Sequence, residues 1–220
     1  MRFRDRVDAG KQLALALKKY QNQNGVVYAL PRGGVVLGVE VARVLKMPLD
    51  LLIPRKIGHP LQPEYAICAV VENGEMVCNQ QEVVRVDPQW FQQQVDAERH
   101  EARRRREFYL GGRAPVPVEG KTAIIVDDGI ATGLTMEAAI RDARRRQPAR
   151  LVVAVPVAPP DTVERLSREV DEFVVLDASP HYLGAVGAYY DHFLQVSDED
   201  VNALMRSAVT PAQTRKHGRP

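Results

Sequence analysis

A chain of 220 residues, 45% apolar and 26% charged, suits a single soluble α/β domain with a core of its own. Thirty Lys and Arg against 28 Asp and Glu leave a net charge of +2, which argues against a histone-like or polybasic nucleic-acid binder. Cys68 and Cys78 lack a CxxC partner, no run approaches the roughly 18 apolar residues of a spanning helix, and MRFRDRVDAG has no apolar h-region. A reduced, cytoplasmic protein with no disulfide scaffold, zinc site or membrane segment is therefore expected.

In chain order, residues 5–20 place Val7, Leu13, Leu17 and Tyr20 at helical spacing, and Asn24-Gly25 marks a turn. VVYAL (26–30) predicts a buried strand, PRGG a loop, and Val35 to Lys46 a helix. LDLLIP (49–54) predicts a second strand, and RKIGHPLQP (55–63) an exposed loop. EYAICAVVENGEMVC reads as a hairpin across Asn73-Gly74. A long polar helix is expected from Pro88 to Leu110, capped by Gly111-Gly112. TAIIV (122–126), LVVAVPV (151–157) and EFVVLD (172–177) predict strands, with helices over 134–147 and near 161–169. Ser197-Asp-Glu-Asp opens a last helix, and residues 210–220 read as a flexible polar tail.

This alternation implies an α/β fold: a mostly parallel twisted sheet with helices on both faces, in one domain spanning 1–220. The stretch 75–120 breaks the rhythm and reads as a hairpin and helix insertion. Ligands of such sheets sit at the carboxyl ends of the strands, so the strand-to-helix loops are the places to search.

One loop stands out. In Ile124-Ile125-Val126-Asp127-Asp128-Gly129-Ile130-Ala131-Thr132-Gly133-Leu134-Thr135 an apolar strand delivers two carboxylates, a small-residue loop follows, and a helix begins. Gly129 and Gly133 let backbone N–H groups turn inward, Thr132 and Thr135 add hydroxyls, and the helix N-terminus favours an anion. Two acids beside a bare phosphate would be misplaced. They suit a ligand that also brings sugar hydroxyls or magnesium. Rival phosphate motifs fail: Gly33 to Gly38 has Walker spacing, but Val39 stands where lysine belongs, and no GxGxxG follows a strand.

The segment resembles the phosphoribosyl-pyrophosphate (PRPP) signature of type I phosphoribosyltransferases. Ala29-Leu30-Pro31-Arg32-Gly33-Gly34 is similar to that family's pyrophosphate loop, and RKIGHPLQPEYAICAVVENG to a subgroup whose acceptor is not generally assigned. The resemblance covers residues 25–177 and implies a role for each matching position. Asp127 and Asp128 would contact ribose hydroxyls or the waters of Mg2+. Gly129, Ile130, Ala131, Thr132, Gly133, Leu134 and Thr135 would grip the 5′-phosphate. Arg32, Gly33, Gly34, Arg55 and Lys56 would receive pyrophosphate, with Lys56 also counted as catalytic. A cis peptide is expected at Arg32-Gly33, a lid over 57–76, and a hood over 178–209 that holds the acceptor. Ala131 stands where the hypoxanthine-guanine branch has an aspartate, which argues against a 6-oxopurine acceptor handled in that way. The family also implies a homodimer.

Other signals are weaker. Arg103–Arg106 and Arg144–Arg146 read as solvated helix faces before they read as RNA contacts. The five histidines form no ligand pattern. Trp90 and Phe91 suit packing or a dimer contact, and His181, Tyr182, Tyr189, Tyr190 and Phe193 suit either core or hood. Three functions are consistent with the sequence. The leading one is magnesium-dependent phosphoribosyl transfer from PRPP to a small nitrogen heterocycle. The others are a PRPP- or nucleotide-sensing RNA-binding regulator on the same fold, and a hydrolase using water as acceptor.

Overall fold

In the computed structural model residues 1–208 are described; the tail expected at 210–220 lies outside them. The chain opens with α1 (Arg6–Ala16) and a 3-10 turn, Lys18–Tyr20, then enters β1 (Gly25–Ala29), α2 (Gly33–Leu45) and β2 (Leu49–Leu51). Next come β3 (Arg55–His59), β4 (Gln62–Val70), β5 (Met76–Cys78), α3 (Gln80–Val83) and α4 (Pro88–Leu110). Alternation resumes with β6 (Thr122–Val126), α5 (Leu134–Arg145), β7 (Arg150–Val157), α6 (Pro160–Ser167) and β8 (Glu172–Asp177). A 3-10 turn, Val186–Tyr189, and α7 (Asp198–Ser207) follow.

The main sheet is parallel throughout, in the order β2-β1-β6-β7-β8. Strands β1, β2, β6 and β7 are buried on both faces, which is why they read as unbroken apolar runs, and the edge strand β8 is half-buried. Val27, Ala29, Ile124, Val126, Val152 and Ala154 pack on one side with Leu13 of α1, Leu37 and Val41 of α2, and Val201 of α7. The alternate residues Val26, Tyr28, Ile125, Val153 and Val155 pack on the other with Met136 and Ile140 of α5 and Leu166 of α6. Strand order reverses between β1 and β6, so the carboxyl ends of those two strands diverge around a crevice.

Departure from alternation begins at Arg55, not at residue 75. Residues 55–59, expected as loop, form β3, which pairs antiparallel with β4, and β5 completes a three-stranded sheet. Ile57, Ile67 and Val70 pack one face of it with Val86, Val95, Trp90 and Phe91, which places the two aromatics in a core. Ala69, Val71 and Val77 pack the other face on Ala138 of α5. The hairpin register sets Cys68 opposite Cys78, and the two form a disulfide, against the expectation of free thiols. Cross-strand pairing, not motif spacing, brings these sulfurs together.

Capping explains the helix ends. Asp87 accepts from the Trp90 N–H ahead of Pro88, and α4 stops at Gly111, whose φ of 55° is left-handed. Ser197 and Asp200 form a capping box at α7. Among the described residues no helix is long and apolar enough to cross a membrane.

The arginine runs divide: Arg103, Arg104, Arg144 and Arg145 are exposed, as a solvated face requires, whereas Arg106 and Arg146 turn inward. Arg104 and Arg105 both bond Glu101 at 2.7 Å. Arg106 turns inward, 3.3 Å from Glu72 and 3.6 Å from Asp50, and donates to Leu51 O. Arg146 pairs with buried Asp142 at 2.7 Å and lies over the Tyr28 ring. Burial pushes the Glu72 carboxyl up, against the pull of Arg106 and Arg146. This network ties α4, α5 and the β4–β5 turn to the sheet edge. Asp50, 1% exposed, also accepts from the N–H groups of Leu51 and Val116. Asp50→Ala strands those donors and a buried cation; it should lower stability by about 3 kcal/mol, read by urea unfolding.

Candidate active site

The acidic loop leaves β6 at the crevice. Asp127 Oδ1 accepts from the Asp128 N–H at 2.8 Å, so the first carboxylate braces the turn that begins the loop. Gly129 lies beneath Val186, where a Cβ would meet Val186 Cγ1 at 2.5 Å. Ile130 spends its N–H on Val157 O. Helix α5 then starts behind Gly133, a left-handed residue with no side chain to cap it, and its first-turn amides have no intrahelical acceptor. Arg165 of α6 bonds Thr132 O at 3.0 Å and pairs with Glu137, clamping the loop from behind.

A cleft of 280 Å³ opens over this loop. It is lined by Asp127, residues 129–136 and Val186, and on the far side by Lys56, Glu64, Tyr65 and Ala66 of the small sheet. Thus Asp127, the whole 129–135 segment and Lys56 come together as the sequence predicts. Lys56 is held 2.9 Å from exposed Glu64. Arg55 does not join them: neighbouring side chains of a strand point to opposite faces, and it pairs with Glu98 of α4 at 2.7 Å. Arg32 leans toward Asp198 of α7, at 3.6 Å.

The PRGG turn sits beside the acids rather than facing the cleft wall. The cis peptide is Pro31-Arg32, one bond before the expected Arg32-Gly33. The glycines serve close approach instead, because a Cβ at Gly33 would overlap Asp128 Oδ2, and one at Gly34 would lie 2.8 Å from Asp127 Oδ1. Of the 178–209 segment, Val186 reaches the cleft, Tyr189 and Tyr190 are core residues, and α7 packs against the α2 face; position 209 is outside the described residues. The Tyr190 hydroxyl donates to Asp128 O at 2.6 Å.

Sequence reasoning misses Arg6, Tyr65 and Arg165. Arg6 Nε lies 2.7 Å from Asp128 Oδ2, bridging 122 positions of chain, and no local pattern announces such a pairing. Burial raises both acids, most strongly Asp127, which also feels the Asp128 charge; Arg6 opposes the rise at Asp128.

The sequence pattern of the phosphoribosyl transferase domain matches residues 5–191. The chain belongs to this family. Two Mycobacterium tuberculosis proteins, from strains CDC 1551 and H37Rv and provisionally named phosphoribosyl transferases, are 44% identical to it over 209 residues. Those matches cover 94% of this chain and 47% of each relative, so the chain spans about half the length of the curated relatives it matches. The crystal structure of TT1426 from Thermus thermophilus is 43% identical, with a TM-score of 0.78 and coverage of 94% of this chain and 99% of that one. Membership extends the resemblance beyond residues 25–177 to include α1, and with it Arg6.

Among the described residues no group of three or more His, Cys, Asp or Glu could hold a metal on its own. Two adjacent carboxylates still suit Mg2+, which commonly takes one or two protein oxygens and completes its shell with substrate phosphates and water.

The acidic pair gives a pH dependence. The folded Asp127 pKa lies above its ordinary 3.8, so folding favours the protonated form. Its stabilising contribution is full below about pH 4 and is lost as pH rises through the folded pKa. Asp127→Asn, whose amide oxygen can still brace the turn, should therefore unfold at a higher temperature than wild type near neutral pH. Thermal unfolding across pH should show that gap closing toward about pH 4.

Proposed function

We propose that this phosphoribosyl transferase domain catalyses transfer of a 5-phosphoribosyl group from PRPP to a nitrogen of a small heterocycle, with release of pyrophosphate. The observation that carries the reading is the shared cleft: a carboxylate, an uncapped helix N-terminus in a glycine-threonine loop, and a lysine all line one cavity. These are the partners that a sugar, a phosphate and a departing polyanion need.

In this reading the amides and hydroxyls of residues 131–135 hold the 5′-phosphate, with Thr132 and Thr135 adding donors. Asp127 accepts from ribose hydroxyls. Asp127, with Asp128 behind it, would hold Mg2+ through water, and the ion would supply charge neutralisation at the pyrophosphate oxygens. Lys56, on a strand of the small sheet, offers its ammonium to the leaving group as negative charge develops there. Gly33 and Gly34 let the PRGG backbone stand close to the acids, where pyrophosphate would lie. The acceptor nitrogen attacks the anomeric carbon while the bond to pyrophosphate breaks, and the electron pair of that bond leaves with pyrophosphate. Positioning and charge stabilisation do the work. Tyr65 and Val186, which line the cleft, offer apolar surface to an incoming ring.

The regulator alternative loses part of its arginine face, because Arg105, Arg106 and Arg146 are engaged within the chain.

The test is a calorimetric titration of PRPP with magnesium into wild type and Asp127→Asn. Wild type should bind and the variant should lose about tenfold or more in affinity while remaining folded. Heterocycles are then screened for base-dependent pyrophosphate release. No binding by wild type would sink the reading, and ribose-5-phosphate formed without added base would replace it with a hydrolase.

A further inference from the structure

A phosphate held by the loop between β6 and α5 needs amide hydrogens aimed at it, not carbonyl oxygens. The ladder of α5 begins with Glu137, whose N–H donates to Gly133 O at 2.9 Å, so the amides ahead of it have no intrahelical acceptor. The peptide joining Thr132 to Gly133 is the weak point of that array. Gly133 has a φ of 85°, and glycine takes positive and negative φ with similar ease, so this peptide can turn over at little cost. Turned over, it would present an oxygen to the anion in place of an N–H.

Arg165 of α6 meets this peptide from outside the cleft. Its Nη2 donates to Thr132 O at 3.0 Å, and a Cβ on Gly133 would lie 2.7 Å from the same nitrogen. Across a trans peptide the carbonyl and the following N–H point in opposite directions. Thr132 and Gly133 line the cleft and Arg165 does not, so fixing Thr132 O on Arg165 turns the Gly133 N–H toward the cleft side. The guanidinium is itself anchored. Its Nη1 donates to Glu137, a largely buried carboxylate in the first turn of α5 that also accepts from Arg141 at 2.8 Å. Leu166, the next residue of α6, is buried in the core and fixes the helix that carries Arg165. Yet Arg165 is 44% exposed, and an ion pair so placed adds little to stability. Its geometry matters more to the loop than to the fold.

We propose that Arg165 is a positioning residue for the 5′-phosphate: it locks the Thr132–Gly133 peptide with its N–H toward the cleft, and Glu137 holds it there. This role rests on the function proposed above. A guanidinium suits the task, because two of its nitrogens bond a carbonyl and a carboxylate at once from one rigid plane. The role is local. Among the described residues neither the PRGG turn nor Lys56, the groups assigned to pyrophosphate, is a partner of Arg165.

The experiment compares two ligands that share the pyrophosphate group but not the phosphate ester. PRPP and inorganic pyrophosphate, each with magnesium, are titrated calorimetrically into wild type, Arg165→Met and Arg165→Met/Glu137→Gln. The unfolding temperature of each protein is recorded without ligand. Arg165→Met should bind PRPP about tenfold more weakly, the scale of one charge-assisted hydrogen bond, and pyrophosphate within about twofold of wild type. Its unfolding temperature should stay within about 3 °C of wild type. The double variant restores the charge balance but not the bond to Thr132 O, and should remain as weak for PRPP.

Equal losses for both ligands would overturn the role, because Arg165 would then support the cleft as a whole. So would no loss for either, since the peptide would be aimed without it. A double variant that regains wild-type affinity for PRPP would overturn it too, because Arg165 would then act only by offsetting the charge of Glu137. Should Arg165→Met fail to fold, the neutral double variant carries the comparison: PRPP weakened and pyrophosphate spared supports the role, and any other pattern overturns it. Wild type that does not bind PRPP removes the proposed function and this role together, whereas a failure confined to the variants removes the role alone.

Discussion

The site depends on one close approach. Two glycines at the start of α2 bring backbone to within a side chain's width of two carboxylates at the end of β6. That contact exists because β1 and β6 are neighbours in the sheet, paired in register from Gly25 and Thr122 to Ala29 and Val126. Their loops must leave from the same level. The strand order reverses between these two strands, so α2 and α5 depart to opposite faces and leave the crevice open. Any side chain at position 33 or 34 would force the carboxylates or the turn to move.

The small antiparallel sheet supplies what the parallel sheet cannot. A parallel sheet gathers loops at one edge, and those loops here deliver acids, glycines and amides but no cation facing the cleft. Strands β3 and β4 rise beside α5, with Ala69 and Val71 packed against Ala138, and carry Lys56 across the cleft from the acidic loop. The other face of this sheet is buried by α4, and the inward Arg106 of α4 fastens that assembly to Asp50 of β2 and to Glu72. Such buried ion pairs add little net stability over apolar packing, but leaving one partner unpaired is costly. They therefore fix where the small sheet sits, and with it where Lys56 sits.

Much of this was legible in the sequence, for reasons that differ from element to element. A strand buried on both faces reads as a continuous apolar run, so TAIIV was found to the residue; half-buried EFVVLD carries a similar run, and α4 announced itself by its polar stretch from Pro88 and by Gly111-Gly112. The acidic loop was legible because acids, glycines and threonines must follow one another in a short stretch to build that cradle. Strand β3 was not: an edge strand with Gly58 and an irregular register has the composition of a loop, and only its antiparallel partner makes it a strand. The Cys68–Cys78 bond depends on the same pairing. Assigning Arg55 and Lys56 one role failed for a simpler reason, because consecutive strand residues face opposite ways. Arg6 lies 122 residues from its partner, and no periodicity or motif in a single sequence connects them.

The acidic pair also sets function against stability within a few ångströms. Both carboxylates are raised by burial, so their charged forms are disfavoured in the fold that positions them. Natural sites hold such groups only where surrounding structure over-determines them. Here the surroundings are unequal. Asp128 has an arginine, and its carbonyl has a tyrosine hydroxyl; Asp127 has only a backbone N–H and the opening of the cleft. The carboxylate of Asp127 is therefore the less satisfied of the two. The same inequality ties α1 to the acidic loop across 122 positions of chain. Without a cation at position 6 the fold would have to bury two adjacent carboxylates with one donor between them.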